Sequence, residues 1–169
     1  MWVPGHGQVG WHFAELAGLD KRDRTLCALA AMAPDLDGLT FLSGLSGYWS
    51  FHHTFGHSLF IIPFIAVGLG LFGHKKILTI LFCWVGSLAH VAVDIFGSWP
   101  VHLLWPVYPD WALIDTPNAF IIFPVEFITP FVMIAWSIRV YKKRGITIFE
   151  IFGGWIESQL YAWLKKISA

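Results

Sequence analysis

Fixed charge is scarce in this chain. Asp, Glu, Lys and Arg make up 13% of its 169 residues, while 56% are hydrophobic. A soluble domain carries about 25% charged residues. The shortfall, with a mean hydropathy of +0.63, argues against a water-soluble fold and for an integral membrane protein. Net charge is lacking too, because 11 Lys and Arg balance 11 Asp and Glu. A balanced chain exerts no global pull on phosphate backbones, so nucleic acid is not an expected partner. Cysteine is nearly absent. Cys27 and Cys83 both lie in apolar runs and read as buried, inert thiols, which excludes a disulfide framework. The N-terminal stretch has no basic region followed by an apolar core. No signal peptide is therefore expected, and insertion falls to internal apolar segments. Internal repeats and low-complexity tracts are missing as well. The length suits a single domain over residues 1–169.

What the chain does have is long apolar stretches. They run over His57–Gly73, Ile77–Phe96 and Ala119–Ile138. The last two each hold 20 residues, about the length of a membrane-spanning helix; the first is slightly short. The pattern predicts an all-α membrane bundle with about three transmembrane helices. Short amphipathic helices are expected at the N- and C-termini, the latter from Thr147 onward. Asp20 or Asp23 is placed to cap a helix over Thr25–Met32 that stops at Pro34. Pro63, Pro124 and Pro130 are expected to kink their helices. Gly73-His74-Lys75-Lys76 joins the first two segments as an antiparallel hairpin, and a second basic group, Arg139 to Arg144, follows the third. Basic residues favour the cytoplasmic side. The aromatic linker 97–118 suits the headgroup level.

The ionisable side chains are distributed in a telling way. His12, Asp35, Asp37, His53, His57, His90 and Asp94 sit at or beside the ends of apolar stretches. His53 with His57, and His90 with Asp94, are four residues apart, one turn on a common helix face. Asp35 and Asp37 point the same way if their backbone is extended. Folding the hairpin about Lys75 brings His57, His90 and Asp94 level within a turn, at the end opposite the basic loop. Glu126 shares that depth and is a further candidate. His52 competes with His53 if the helix begins later. His6, His74 and His102 read as bystanders. Ionisable groups in a membrane segment are costly and point to function. Imidazole and carboxylate together suit zinc, with manganese or iron as alternatives.

The order His12, Pro34-Asp35-Leu36-Asp37, His52-His53-Thr54-Phe55-Gly56-His57-Ser58, His90-Val91-Ala92-Val93-Asp94 resembles the LexA-regulated, membrane-bound metal-dependent hydrolase family. The resemblance runs over about residues 6–106, and His53 stands where that family often has arginine. More weakly, the order is similar to zinc-dependent phospholipase C and single-strand-specific nucleases, without their second HxxxD or HxxxE. The resemblance implies a membrane-bound hydrolase of an ester or phosphoester holding one or two divalent transition metal ions. His12, His52 or His53, His57, His90 and Asp94 would be ligands, and Asp35 and Asp37 would be ligands or general bases. An amphiphilic, lipid-like substrate and an extracytoplasmic site in a bacterial or archaeal inner membrane complete the expectation. A metal or proton transporter and a non-catalytic, metal-stabilised membrane protein are the competing readings. Transport through three spans without an inverted repeat would require a homo-oligomer.

Overall fold

The computed structural model describes residues 3–97, 99–113 and 124–167. Among them the chain is helical, with no strand. Helix α1 covers Val3–Leu16 and α2 covers Lys21–Met32. A 3₁₀ helix, Ala33–Ser43, continues α2 directly. Short α3 is Leu45–Phe51, α4 is Ile62–Gly70 and α5 is Lys76–Ile95. A π-helical turn, Pro124–Ile128, leads into α6, Thr129–Arg144. The 3₁₀ turn Ile148–Phe152 and α7, Gly154–Ile167, end the described chain.

Two helical stretches are long and apolar enough to cross a membrane, Lys21–Ser43 and Lys76–Ile95. The second was expected. The first was expected to stop at Pro34. Pro34 instead takes the first turn of the 3₁₀ helix, where a missing N–H costs nothing. The apolar segment from His57 to Gly73 is helical only over the nine residues of α4, about 13 Å at 1.5 Å per residue. Residues 52–61 are bent away from a helix by local bonds described below. Of the third expected span, residues 119–123 lie outside the described residues, and its remainder runs on as helix to Arg144. Pro63 and Pro130 kink nothing, because both fall in the first turn of their helices.

The core depends on small residues. A Cβ on Gly10 of α1 would stand 2.5 Å from the Cys27 carbonyl oxygen and 2.6 Å from Ala31 Cβ, both on α2. A Cβ on Gly86 of α5 would meet Ala31 Cβ and Gly10 Cα, each at 3.3 Å. Helices α1, α2 and α5 therefore touch almost backbone to backbone, the close packing that small residues permit between helices in lipid. Ser87 Oγ donates across this seam to the Ala30 carbonyl at 2.9 Å.

Buried polar bonds fix which ends lie together. Asp20 caps α2 by accepting from the Asp23 amide. The hydrogen bonds from Asp23 N–H and from the His74 ring outweigh the effect of partial burial and hold the Asp20 carboxyl below its usual range. Asp23 in turn accepts from the amides of His74 at 2.7 Å and Lys75 at 3.2 Å. The starts of α2 and α5 are thus neighbours, the two helices run parallel, and α4 packs antiparallel to α5. Arg24 pairs with Glu150, Arg144 with Glu15, and Lys21 with Glu157. Trp11 Nε1 also donates to Glu150 at 2.6 Å. These contacts gather the basic residues of α2, of the α4–α5 loop and of the end of α6 at one end of the bundle.

The seam yields a contrast in stability. Gly10→Val must push apart α1 and α2 and is expected to cost about 1–3 kcal/mol, the usual overpacking range. Gly68→Ala, with nothing within 4 Å of the new Cβ, should be neutral or stabilise α4 by up to about 1 kcal/mol. Thermal unfolding in detergent, followed by tryptophan fluorescence, measures both. Equal melting temperatures for the two variants would contradict this packing.

Candidate metal centre

At the end of the bundle away from the basic residues, α5 carries His90 and Asp94 on its buried face. One turn above the Gly86 contact, His90 Nδ1 lies 2.6 Å from the Ala31 carbonyl oxygen. A carbonyl only accepts, so Nδ1 carries the proton and Nε2 presents its lone pair. His57 Nδ1 lies 2.9 Å from Asp37 Oδ2, which sets the same tautomer. The two bare Nε2 atoms then face each other at 3.0 Å. Two lone pairs at that distance repel unless a proton or a cation lies between them. Nitrogens on one tetrahedral zinc stand about 3.3 Å apart, given Zn–N bonds of about 2.0–2.1 Å.

Carboxylates surround this pair. Asp94 Oδ2 is 3.0 Å from His90 Nε2 and 3.5 Å from His57 Nε2. Asp35 Oδ1 is 3.6 Å from His90 Nε2 and 3.9 Å from His57 Nε2. Two further imidazoles close the ring. His53 Nε2 lies 3.9 Å from Asp94 Oδ2, and His6 Nε2 lies 3.2 Å from Asp94 Oδ1. His6 also stacks on His90, with ring centroids 3.6 Å apart. Two donor sets that could hold a metal ion result: Asp35, His53, His57 and Asp94, and His6, Asp35 and His90, sharing Asp35. His6, His57 and His90 are wholly buried. Asp35 Oδ2, His53 Nδ1 and His6 Nδ1 are buried without a hydrogen bond among the described residues, an arrangement that costs free energy unless another group satisfies them.

Residues 25–73 and 77–138 contain no Lys or Arg, and Asp35, Asp37 and Asp94 pair with imidazoles. Without a cation, a proton can take the place between the two rings: burial opposes a charged His57, but hydrogen bonds to Asp37 and Asp94 outweigh it and push its pKa up to about 9. Burial and the neighbouring His57 lower that of His53 to about 3. The donor set of nitrogen and oxygen fits zinc, manganese or iron.

The surrounding chain holds these groups in place. Asp37 accepts from His57 through one oxygen and lies 2.8 Å from His52 Nδ1 through the other. His52 is thereby turned away from the centre and stacks on Tyr48 at 4.7 Å. His53 has φ 64°, left-handed backbone that a non-glycine residue rarely adopts. Its carbonyl accepts from the His102 amide, Leu59 N–H donates to the Leu103 carbonyl, and Ser58 Oγ donates to the Trp105 carbonyl. The loop around residues 101–105 thus clamps the 53–59 turn. Trp99 stacks on Trp49 at 4.4 Å and presents its edge to His52 and His53.

Several expectations change in detail. His53 and His57 share no helix, since 52–57 is a turn; the strained backbone, not helical spacing, brings their rings to 4.4 Å. Asp35 and Asp37 lie in a 3₁₀ helix instead of an extended chain, and they diverge, Asp35 toward the centre and Asp37 behind His57. His12 stands outside both donor sets. Its Nε2 is 3.0 Å from Ser137 Oγ and its ring stacks on Trp136 at 4.6 Å. His6, six residues earlier and nearer the centre, lies where an N-terminal ligand was sought. The available signal was its position four before Gly10, on the face that packs closest. Glu126 belongs to the Pro124–Ile128 turn, with its side chain outside the described residues. His74 bonds Asp20 at the opposite end.

The chain belongs to the YdjM inner membrane protein family, whose family model matches residues 1–164. No curated protein and no solved structure matches it. The family description and the two apolar helices agree on a membrane protein; a reaction and a metal form no part of that match.

If the centre takes a divalent ion, loading should stabilise the fold. At about 100-fold excess over the dissociation constant, binding adds about 2.7 kcal/mol. Chelator-stripped protein is expected to melt higher with zinc, and His90→Ala and Asp94→Ala should each abolish that shift. A melting temperature indifferent to zinc, manganese and iron would remove the metal reading.

Proposed function

We propose that this chain is a membrane-bound, metal-dependent hydrolase cleaving an ester or phosphoester bond in an amphiphilic substrate. The observation that carries the reading is the pair of facing imidazole Nε2 atoms of His57 and His90, 3.0 Å apart among carboxylates. His6, Asp35, His53, His57, His90 and Asp94 would hold the metal. Two donor sets sharing Asp35 suit one or two ions, zinc first. Bound there, a divalent cation supplies Lewis acidity, polarising a substrate oxygen and making a water nucleophilic at neutral pH.

The protein groups divide the remaining work. Asp35 keeps one buried oxygen without a hydrogen bond and is positioned to take a proton from the attacking water. Asp37 has both oxygens engaged by His52 and His57. It acts as a positioning residue that fixes the His57 tautomer and ring orientation. The aromatic wall of Tyr48, Trp49 and Trp99 beside the centre suits the headgroup region of a bilayer. All 11 Lys and Arg fall outside residues 25–73 and 77–138. With basic residues on the cytoplasmic side, the centre faces the extracytoplasmic side of the inner membrane.

Two outcomes are expected. Asp35→Asn should lower turnover of a responsive lipid or phosphoester by about 10²–10⁴-fold, the range for losing a general base. Asp37→Asn should chiefly weaken metal affinity, by about 10–100-fold. Product assays in vesicles, with metal titrations alongside, separate the two. A panel of lipids and phosphoesters giving no product, with metal flux across sealed vesicles, would favour a transporter instead. For topology, Lys75→Cys in a Cys27→Ala, Cys83→Ala background should react with an impermeant thiol reagent only after cells are opened. Labelling of intact cells would place the centre on the cytoplasmic side.

A further inference from the structure

An apolar groove of about 650 Å³ lies between α1, the start of α6 and the Ile148–Phe152 turn. That volume is in the range of small-molecule sites. Its walls include Pro4, Met32, Phe131, Ile134, Phe149 and Phe152. Among the described residues lining it, only Gln8 has a polar side chain, and that amide donates to Ser137. The polar cavity beside the candidate centre, lined by Asp35, Tyr48, His52 and His53, also includes Pro4. Pro4, two residues before the buried His6, thus lines both spaces.

The groove lies close to the His and Asp end. Its helical walls are the start of α1, Met32 at the end of α2 and the start of α6. In a bilayer a lipid acyl chain lies against helix flanks of this kind, with its polar head at the surface. Phe131, Ile134 and Phe152 face outward, so the groove opens laterally to lipid and a chain can enter from the side.

We infer that this groove holds an acyl chain of a membrane lipid whose polar head reaches the His and Asp centre past Pro4, which lines both spaces. This names the substrate class as an acyl-bearing lipid ester or phosphoester. What happens to the head rests on the hydrolase reading above; occupation of the groove does not.

Photolabelling tests it. Full-length protein is reconstituted in phosphatidylglycerol vesicles containing a phosphatidylglycerol with a diazirine at the end of one acyl chain. After irradiation, labelled residues are located by mass spectrometry. Labelling at Phe131, Phe149 and Phe152 is expected to exceed that at Phe64 and Leu81, outward-facing residues of α4 and α5, by several-fold. Ile134→Trp, which fills the groove, should bring the groove signal down to the level at Phe64. Equal labelling of groove and control residues in the wild type would overturn the inference, whether or not the variant folds. So would a groove signal that Ile134→Trp leaves unchanged in folded protein. Strong groove labelling together with no cleavage of any lipid would leave the groove assigned and sink only the hydrolase reading.

Discussion

Two imidazole nitrogens 3.0 Å apart, which need a proton or a cation between them, govern the polar half of this molecule. His90 is locked by the Ala31 carbonyl and His57 by Asp37, so each ring keeps its Nε2 toward the other. That lock depends on how closely the helices approach. Ala31 belongs to α2 and His90 to α5, and the Gly10, Ala31 and Gly86 contact sets their separation. A larger residue in that seam would pull the carbonyl away from the ring and free His90 to rotate. The packing of the apolar core and the chemistry of the polar end are therefore one constraint seen from two sides.

The bundle is polarised along its axis. Arg24, Arg144 and Lys21 are paired with Glu150, Glu15 and Glu157 at one end. Asp35, Asp37 and Asp94 meet histidines at the other. The Arg and Glu pairs satisfy their own charge. The His and Asp cluster keeps Asp35 Oδ2, His53 Nδ1 and His6 Nδ1 buried without a hydrogen bond among the described residues. The apolar groove beside α1 lies next to this end, and Phe131, Ile134 and Phe152 in its wall face outward.

Much of this was legible in the sequence. The spacing of His90 and Asp94 within a 20-residue apolar run placed both on one helix face, and α5 has that form. Folding the α4–α5 hairpin brought His57 level with them, and the structure places all three together. Other parts depend on long-range contacts. His53 reaches the cluster through a left-handed backbone held by residues 102–105, which no local pattern announces. That His6, read from the sequence as a bystander, lies beside the cluster while His12 lies apart from it follows from where α1 crosses α2 and α5, a matter of Gly10 and its neighbours. The 3₁₀ continuation past Pro34 was hidden because proline reads equally as a stop and as a first-turn residue. The resemblance to a membrane hydrolase family agrees with the family match on an inner membrane protein; the reaction has to come from experiment.

X-ray absorption at the metal edge of the purified, metal-loaded protein tests most directly whether His57 and His90 share a divalent ion with carboxylate oxygens. A mixed nitrogen and oxygen shell at about 2.0–2.2 Å is expected, with the outer scattering of at least two imidazoles and no sulfur near 2.3 Å. A shell of water oxygens without imidazole scattering, or one dominated by sulfur from Cys27 and Cys83, would contradict it.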